Sequence, residues 1–287
     1  MKLVRDEGLR FDRRSDGPPL YWAWTSPERP SAALLILPGY GDHAWRYRHV
    51  LPRWAEAGIA SLVVDFRGHG RSGGIRGFGR TVGDFLSDAR IGREMLRNLA
   101  PSLPHFVFGH SHGGLVATHV ALEDQNPWAG VVLSAPYFDL RFPVPAVKRL
   151  AGEIAAIVAP TFGIPSGMTG LDVVRDTARA AEYDDDPLGF EVVRTGWFVA
   201  ARRAQSRARR HARELALPMY CVFGTDDRIA RIEAAKAVFD AAKSRDKTFD
   251  VRADYRHVPL ADLDWEPVAD TIAQWIVTRA PARHAGG

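Results

Sequence analysis

Gly109-His110-Ser111-His112-Gly113 follows the apolar run Phe106-Val107-Phe108 and precedes a segment of helical character, Leu115 to Leu122. That context predicts a strand, a sharp turn with a serine at its apex, and a helix. Such an elbow is strained, and it needs small residues two places to either side of the serine, because side chains there would meet the neighbouring strand and helix. Gly109 and Gly113 stand in those places. The rival reading is a tight turn with an incidental serine. A nucleophile would require an acid and a base where the same fold could bring them, and a chance turn would not.

Outward from the elbow, the apolar runs Leu34–Leu37, Ile59–Val64, Val131–Leu133 and Met219–Phe223 are short and lack clean alternation. Strands buried on both faces of a parallel sheet read this way. Helical patterns lie between them at Trp45 to Ala57, closed by Gly58, at Val82 to Leu99, closed by Pro101, and at His112 to Glu123. Leu9–Phe11 and Leu20–Trp24 flank Asp16-Gly17-Pro18-Pro19 and predict an antiparallel hairpin at the sheet edge. A helix near Ala230–Ala242, a strand near Thr248–Val251 and a helix near Pro267–Val277 resume the alternation, and Pro281 to Gly287 reads as a frayed tail.

The alternation breaks for about 80 residues, far more than a simple crossover requires. The organisation expected is therefore a first core segment 1–135, an insert 136–217 and a second core segment 218–287. Within the insert, Val147, Leu150, Ala151, Ile154, Ile157 and Val158 recur at helical spacing opposite Lys148, Arg149 and Glu153. By default such a stripe is core. An insert over the carboxyl edge of a sheet is also a candidate lid, whose apolar residues can line a ligand channel.

With 287 residues, 46% hydrophobic and 25% charged, the chain can bury a full core. Its single cysteine, Cys221, sits in an apolar run, so neither an intramolecular disulfide nor a thiolate metal site is suggested. No run approaches the roughly 18 apolar residues that span a bilayer, and a cytoplasmic protein, with peripheral membrane contact at most, is expected. The formal charge is +4, with much of the excess at Arg202, Arg203, Arg207, Arg209, Arg210 and Arg213. No groove-reading motif or stacking platform accompanies these arginines, so a solvated helix face is favoured over a nucleic-acid surface. Attraction to anionic lipid is the third reading.

A serine hydroxyl needs a base to take its proton, and the base needs an acid to orient it. Reactive groups gather at the carboxyl ends of strands in such a sheet. After Met219–Phe223 the chain reads Gly224-Thr225-Asp226-Asp227-Arg228, and after Thr248–Val251 it reads Ala253-Asp254-Tyr255-Arg256-His257. The order serine, acid, histidine is that of α/β-hydrolases among serine-triad folds. Ser111 and His257 are assigned on position, and spacing leaves Asp226 and Asp227 both open as the acid. His110 and His112 are closer to Ser111 in sequence, but the elbow turns its neighbours away. Oxyanion donors are expected from the backbone N–H of His112, at the head of the helix, and of Tyr40, in Pro38-Gly39-Tyr40-Gly41-Asp42-His43.

Several stretches together resemble the monoacylglycerol lipase and lysophospholipase group of α/β-hydrolases, across nearly the whole chain. They are Gly39-Tyr40-Gly41-Asp42-His43-Ala44-Trp45-Arg46-Tyr47, Asp65-Phe66-Arg67-Gly68-His69-Gly70-Arg71-Ser72, the elbow with Gly114, Asp184-Asp185-Asp186-Pro187-Leu188, Gly224-Thr225-Asp226-Asp227-Arg228 and the segment ending in His257. The resemblance selects Asp227 over Asp226. It implies an α/β-hydrolase fold, a mostly parallel sheet flanked by helices with a helical cap inserted after the sixth strand. Two residues depart from the group: Pro38 stands where a histidine usually opens the oxyanion loop, and His112 where methionine usually follows the nucleophile.

The reading is a serine hydrolase of carboxylic esters without metal or cofactor, acting on a monoacylglycerol or lysophospholipid, with Ile154, Ile157, Phe162, Met168 and Trp197 lining an acyl channel. Membrane contact would run through the cap or the Arg202–Arg213 segment. The alternatives are a short-chain carboxylesterase, a proline-iminopeptidase-like peptidase that holds an amino terminus with Glu153, Glu182 or Asp184–Asp186, and a non-catalytic binding module.

Overall fold

The computed structural model describes residues 2–10 and 17–280. The expected strand end at Phe11, the turn residue Asp16 and the tail 281–287 lie outside the described residues. The first part of the chain runs β1 (Leu3–Arg10), β2 (Leu20–Pro27), β3 (Ala32–Leu37), α1 (Val50–Glu56), β4 (Ile59–Val64), α2 (Val82–Leu99), β5 (His105–His110), α3 (His112–Glu123) and β6 (Gly130–Ser134). Between β6 and the next sheet strand come α4 (Ala146–Val158), β7 (Gly163–Pro165), α5 (Gly170–Val173), α6 (Thr177–Asp184), β8 (Val192–Arg194) and α7 (Thr195–His211). The chain then returns as β9 (Met219–Gly224), α8 (Ile232–Ala241), β10 (Lys247–Arg252) and α9 (Trp265–Arg279).

The main sheet has the order β1-β2-β4-β3-β5-β6-β9-β10. β1 and β2 form the antiparallel hairpin, with Leu9 opposite Tyr21, and β2 runs antiparallel to β4. From β4 to β10 neighbouring strands are parallel. All six residues of β3, β4 and β9 are buried, the double-sided burial that continuous apolar runs imply. Side chains alternate in β3: Ala33, Leu35 and Leu37 meet Phe85, Leu96 and Leu115 of α2 and α3. Ala32, Leu34 and Ile36 share the opposite core with Val50 and Trp54 of α1 and Ile272 and Ile276 of α9. Cys221 lies inside β9, and desolvation pushes its thiol well above the usual range.

One expected helix is broken. Residues 45–57 form a 3₁₀ turn over Ala44–Tyr47 followed by α1 from Val50. Pro52 accounts for the restart, because its ring would clash with the Arg48 carbonyl and it offers no N–H, so it is accommodated only in a first turn.

β6 and β9 are parallel neighbours, so the chain between them must carry a crossover, and α7 supplies it. Ala201, Ala204 and Ala208 of α7 join the same core as α2 and α3. The arginines lie among these alanines. Arg202 and Arg203 reach Glu153 of α4, while Arg209 donates to the Phe138 carbonyl at 2.6 Å. Helix α4 forms where expected but has no buried residue. Its small residues Gly152, Ala155 and Ala156 are half-buried, while Val147, Leu150, Ile154, Ile157 and Val158 are exposed. The stripe is therefore not core.

At the elbow, Ser111 adopts φ 49° and ψ −114°, a conformation that costs a non-glycine residue about 1–3 kcal/mol. Its amide donates to the Ser134 carbonyl at 2.9 Å, and its carbonyl accepts from Tyr137 N at 3.0 Å. A Cβ on Gly109 would overlap the Gly113 carbonyl, and one on Gly113 would overlap the carbonyl oxygens of Leu37 and Pro38. Gly113→Ala is therefore expected to lower unfolding free energy by about 1–3 kcal/mol or more, since the obstruction is backbone and cannot rotate away. Urea denaturation measures this, and unchanged stability would contradict the packing.

Candidate active site

The loops at the carboxyl ends of β5, β9 and β10 bring three side chains into line. Ser111 Oγ lies 2.9 Å from His257 Nε2, and His257 Nδ1 lies 2.8 Å from Asp227 Oδ2. The other oxygen of Asp227 accepts from the amides of Ile229 and Ala230, each at 2.8 Å, so the carboxylate is fixed on both sides. All three residues are buried, with Ser111 8% exposed at the surface of a cavity. Asp226 turns the other way, with Arg256 Nε at 3.4 Å and an Arg228 nitrogen at 3.6 Å.

The neighbouring histidines are occupied or enclosed. His110 Nδ1 contacts the Ser134 carbonyl at 3.1 Å, and its ring centre lies 5.0 Å from that of His257. The His112 ring is boxed by Phe66, Phe85, Tyr40 and Trp197, and neither ring nitrogen has a partner among the described residues. The amides of Tyr40 and His112 likewise have no acceptor among the described residues. Unpaired donors of that kind are available to a ligand oxygen. The Tyr40 side chain holds its loop against the segment between β6 and β9: its hydroxyl contacts the Val192 carbonyl at 3.1 Å and accepts from Arg194 N at 3.2 Å, and its ring stacks on Trp197 with centres 3.7 Å apart.

The cavity has a volume of about 630 Å³. Met168, Trp197 and Phe198 contribute apolar wall, and Asp42, Arg46 and Tyr183 form a polar region. Arg46 stacks on the Tyr183 ring and pairs with Asp186 at 2.9 Å, while His43 Nε2 meets the same carboxylate at 2.8 Å. This polar cluster is not read as such in the sequence; its signals are the Gly39–Tyr47 and Asp184–Leu188 matches. Of the residues expected to line an acyl channel, Met168 and Trp197 line this cavity. Ile154, Ile157 and Phe162 do not line the cavity. Ile154 and Ile157 are exposed because α4 packs on α7 through its small residues and directs its large ones to solvent, and Phe162 is exposed in the turn before β7.

A serine, histidine and aspartate in line on a mostly parallel sheet of this order is the arrangement of an α/β-hydrolase. A family model described as serine aminopeptidase, S33, a hydrolase family, matches residues 28–264, and the chain belongs to that family. Among its relatives, the monoacylglycerol lipase of Mycolicibacterium smegmatis is 31% identical over 262 residues, covering 90% of this chain and 92% of that protein. The human monoglyceride lipase is 29% identical over 265 residues, covering 89% and 86%. The crystal structure of the Paleococcus ferrophilus monoacylglycerol lipase superposes with a TM-score of 0.81 at 23% identity, covering 97% of this chain and all of that one, and shares the fold. The chain is an ester hydrolase of this fold. Among the described residues no helix is long and apolar enough to cross a membrane.

Burial takes the imidazoles of His49, His69 and His110 down to about 4 and that of His112 to about 3, and His119 shifts the same way. In the unfolded chain these groups titrate near 6.5. The unfolded state therefore binds protons first, and stability that is complete above about pH 6.5 is lost as the pH falls toward 4. Asp65, raised by desolvation to about 7, and Asp88, raised by the same cause, work in the opposite sense, their contributions fading as the pH rises, but they are two groups against five. The melting temperature is thus expected to fall between pH 6.5 and pH 4, and His112→Met to flatten that fall. Thermal scans across this range check both, and a flat profile would contradict the burial of neutral imidazoles.

Proposed function

We propose that the chain hydrolyses an ester between a medium or long acyl group and a small alcohol, a monoacylglycerol first and a lysophospholipid second, through an acyl-enzyme. The observation that carries this reading is the Ser111–His257–Asp227 relay opening on a cavity with apolar walls and a polar region at Asp42, Arg46 and Tyr183. Ser111 Oγ attacks the carbonyl carbon while His257 Nε2 takes its proton. Asp227 holds the ring by Nδ1 and stabilises the imidazolium. The amides of Tyr40 and His112 receive the oxyanion. As the intermediate collapses, the C–O bond to the alcohol breaks and His257 returns the proton to the leaving oxygen. Water, deprotonated by the same histidine, then releases the acid and restores Ser111.

The peptidase alternative draws less support. Glu153 pairs with Arg202 and Arg203, Glu182 with Arg48, and Asp186 with His43 and Arg46, while Asp184 accepts from Gly170 N at 2.6 Å. Four of the five carboxylates that would hold an amino terminus are already engaged, and the fifth, Asp185, does not line the cavity.

Ser111→Ala should lower ester hydrolysis on the order of 10⁶-fold with the fold intact. Asp227→Asn should cost about 10⁴-fold in kcat, because the imidazole tautomer is no longer fixed. Asp226→Asn should cost far less, since its carboxylate faces two arginines. Steady-state kinetics on a p-nitrophenyl ester ranks the variants, and the reverse order of the two aspartates would move the acid role to Asp226.

The exposed side of α4 supports a second part of the reading, contact with a lipid surface. Its large apolar residues are exposed, as are Lys148 and Arg149 on the same helix, and Phe142, in the segment leading into α4, is both 72% exposed and part of the cavity wall. Acyl length should raise kcat/KM from acetyl upward until the channel fills, by up to about 0.8 kcal/mol per methylene. Ile154→Glu with Ile157→Glu should weaken binding to anionic vesicles and hydrolysis of vesicle-borne ester, and spare soluble esters of every length. Equal loss on soluble and vesicle substrates would place these side chains in the channel instead.

A further inference from the structure

Both flanks of His257 are fastened to one short segment between β6 and β9. Arg256, the preceding residue, donates through Nη1 to the carbonyls of Leu171 and Val174, the latter at 2.9 Å, where α5 ends and its carbonyls need donors. Its Nε faces Asp226 at 3.4 Å, and its amide donates to Asp262 at 2.8 Å. Val258, the following residue, donates its amide to the Val173 carbonyl at 3.0 Å. Asp262 has a fully buried side chain and also accepts from Arg175, through the amide at 2.8 Å and Nε at 3.1 Å. Arg228 closes the ring of charges, with Asp172 at 3.7 Å on one side and Asp226 at 3.6 Å on the other.

We propose that Arg256 is a positioning residue for His257, and that through it residues 171–175 set the placement of the base against Ser111. This rests on the triad reading. Arg256 is too engaged with α5 carbonyls and Asp226 to serve as a free cation, and it touches neither Ser111 nor Asp227 among the contacts described. Its side chain instead converts the position of α5 into the position of the next residue along the chain. The 2.9 Å separation of His257 and Ser111 is sensitive to that, because a displacement of about 1 Å at a reacting pair costs about 100-fold in rate. Asp226 gains a role in the same terms: it holds Arg256 from the β9 side while α5 holds it from the other.

The test compares Arg256→Met, Arg256→Lys and Asp226→Asn on a short, soluble p-nitrophenyl ester, with the rate of inactivation by a fluorophosphonate measured alongside, each variant shown to be folded by its near-ultraviolet circular dichroism. Arg256→Met should lower kcat and the inactivation rate together by about 10- to 100-fold with KM unchanged. Arg256→Lys should recover part of the loss, since an ammonium still donates to a carbonyl, and Asp226→Asn should fall between wild type and Arg256→Met. Full kcat in folded Arg256→Met, a loss confined to KM, or no recovery by lysine would overturn the proposal and leave Arg256 a structural strut. Should Arg256→Met not fold, wild-type kcat in both Arg256→Lys and Asp226→Asn overturns it equally. A wild-type enzyme that neither cleaves the ester nor reacts with the fluorophosphonate removes the triad reading beneath it.

Discussion

The contact on which the site depends is backbone against backbone. At Gly109 and Gly113 the end of β5 and the start of α3 fold onto one another and onto the carbonyls of Leu37 and Pro38, with no room for a methyl group. Close packing there sets the unusual dihedrals of Ser111 and directs its side chain toward the β10 loop. It also places the His112 amide at the head of α3 beside the Tyr40 loop, because the same contact brings the end of β3 against the elbow. Ser111 and the Tyr40 loop are therefore positioned by one packing event, and a change at either glycine would disturb both.

This contact was also what could be read most directly from the sequence. Two glycines flanking a serine between an apolar run and a helical one carry their reason with them, since no other residue fits. The buried strands were legible for a related reason: β3, β4 and β9 are covered on both faces and so tolerate little polarity anywhere along them. β1 was legible only at its end. It is an edge strand whose residues Arg5, Asp6 and Glu7 face solvent, and an exposed edge imposes no apolar pattern on the sequence. The helix expected over residues 45–57 is interrupted before Val50, so that Pro52 falls in a first turn, and there a local rule outweighs an apolar periodicity that is otherwise sound.

The segment between β6 and β9 was harder to read because its helices invert the usual rule. In α4 the stripe of large apolar residues marks the exposed side, and the half-buried side is made of Gly152, Ala155 and Ala156 with Glu153, which pairs with Arg202 and Arg203 of α7. Amphipathic spacing tells that a helix has two faces. It does not tell which face the protein covers. Close helix packing through small residues and an apolar face left for another apolar phase produce the same periodicity as an ordinary core helix, so Ile154 and Ile157 could be placed in a channel on the sequence and out of it in the structure.

The ties between that segment and the loops holding Tyr40, Arg76 and His257 were the least legible feature. Tyr40 reaches the Val192 carbonyl, Arg76 the Gly189 carbonyl, and Arg256 the carbonyls of Leu171 and Val174. In each case a side chain from a core loop ends on a backbone acceptor, which every residue type offers equally. Such bonds leave a signature on one partner only, and even there an arginine or tyrosine in a loop has many other uses. By contrast the His43–Asp186 and Arg46–Asp186 contacts join side chains, and the residues concerned fall within stretches that could be matched from sequence. Side chain to backbone ties thus carry much of the connection between the loops holding Tyr40 and His257 and the segment over them, while remaining the least visible part of the molecule to any reading of residue types alone.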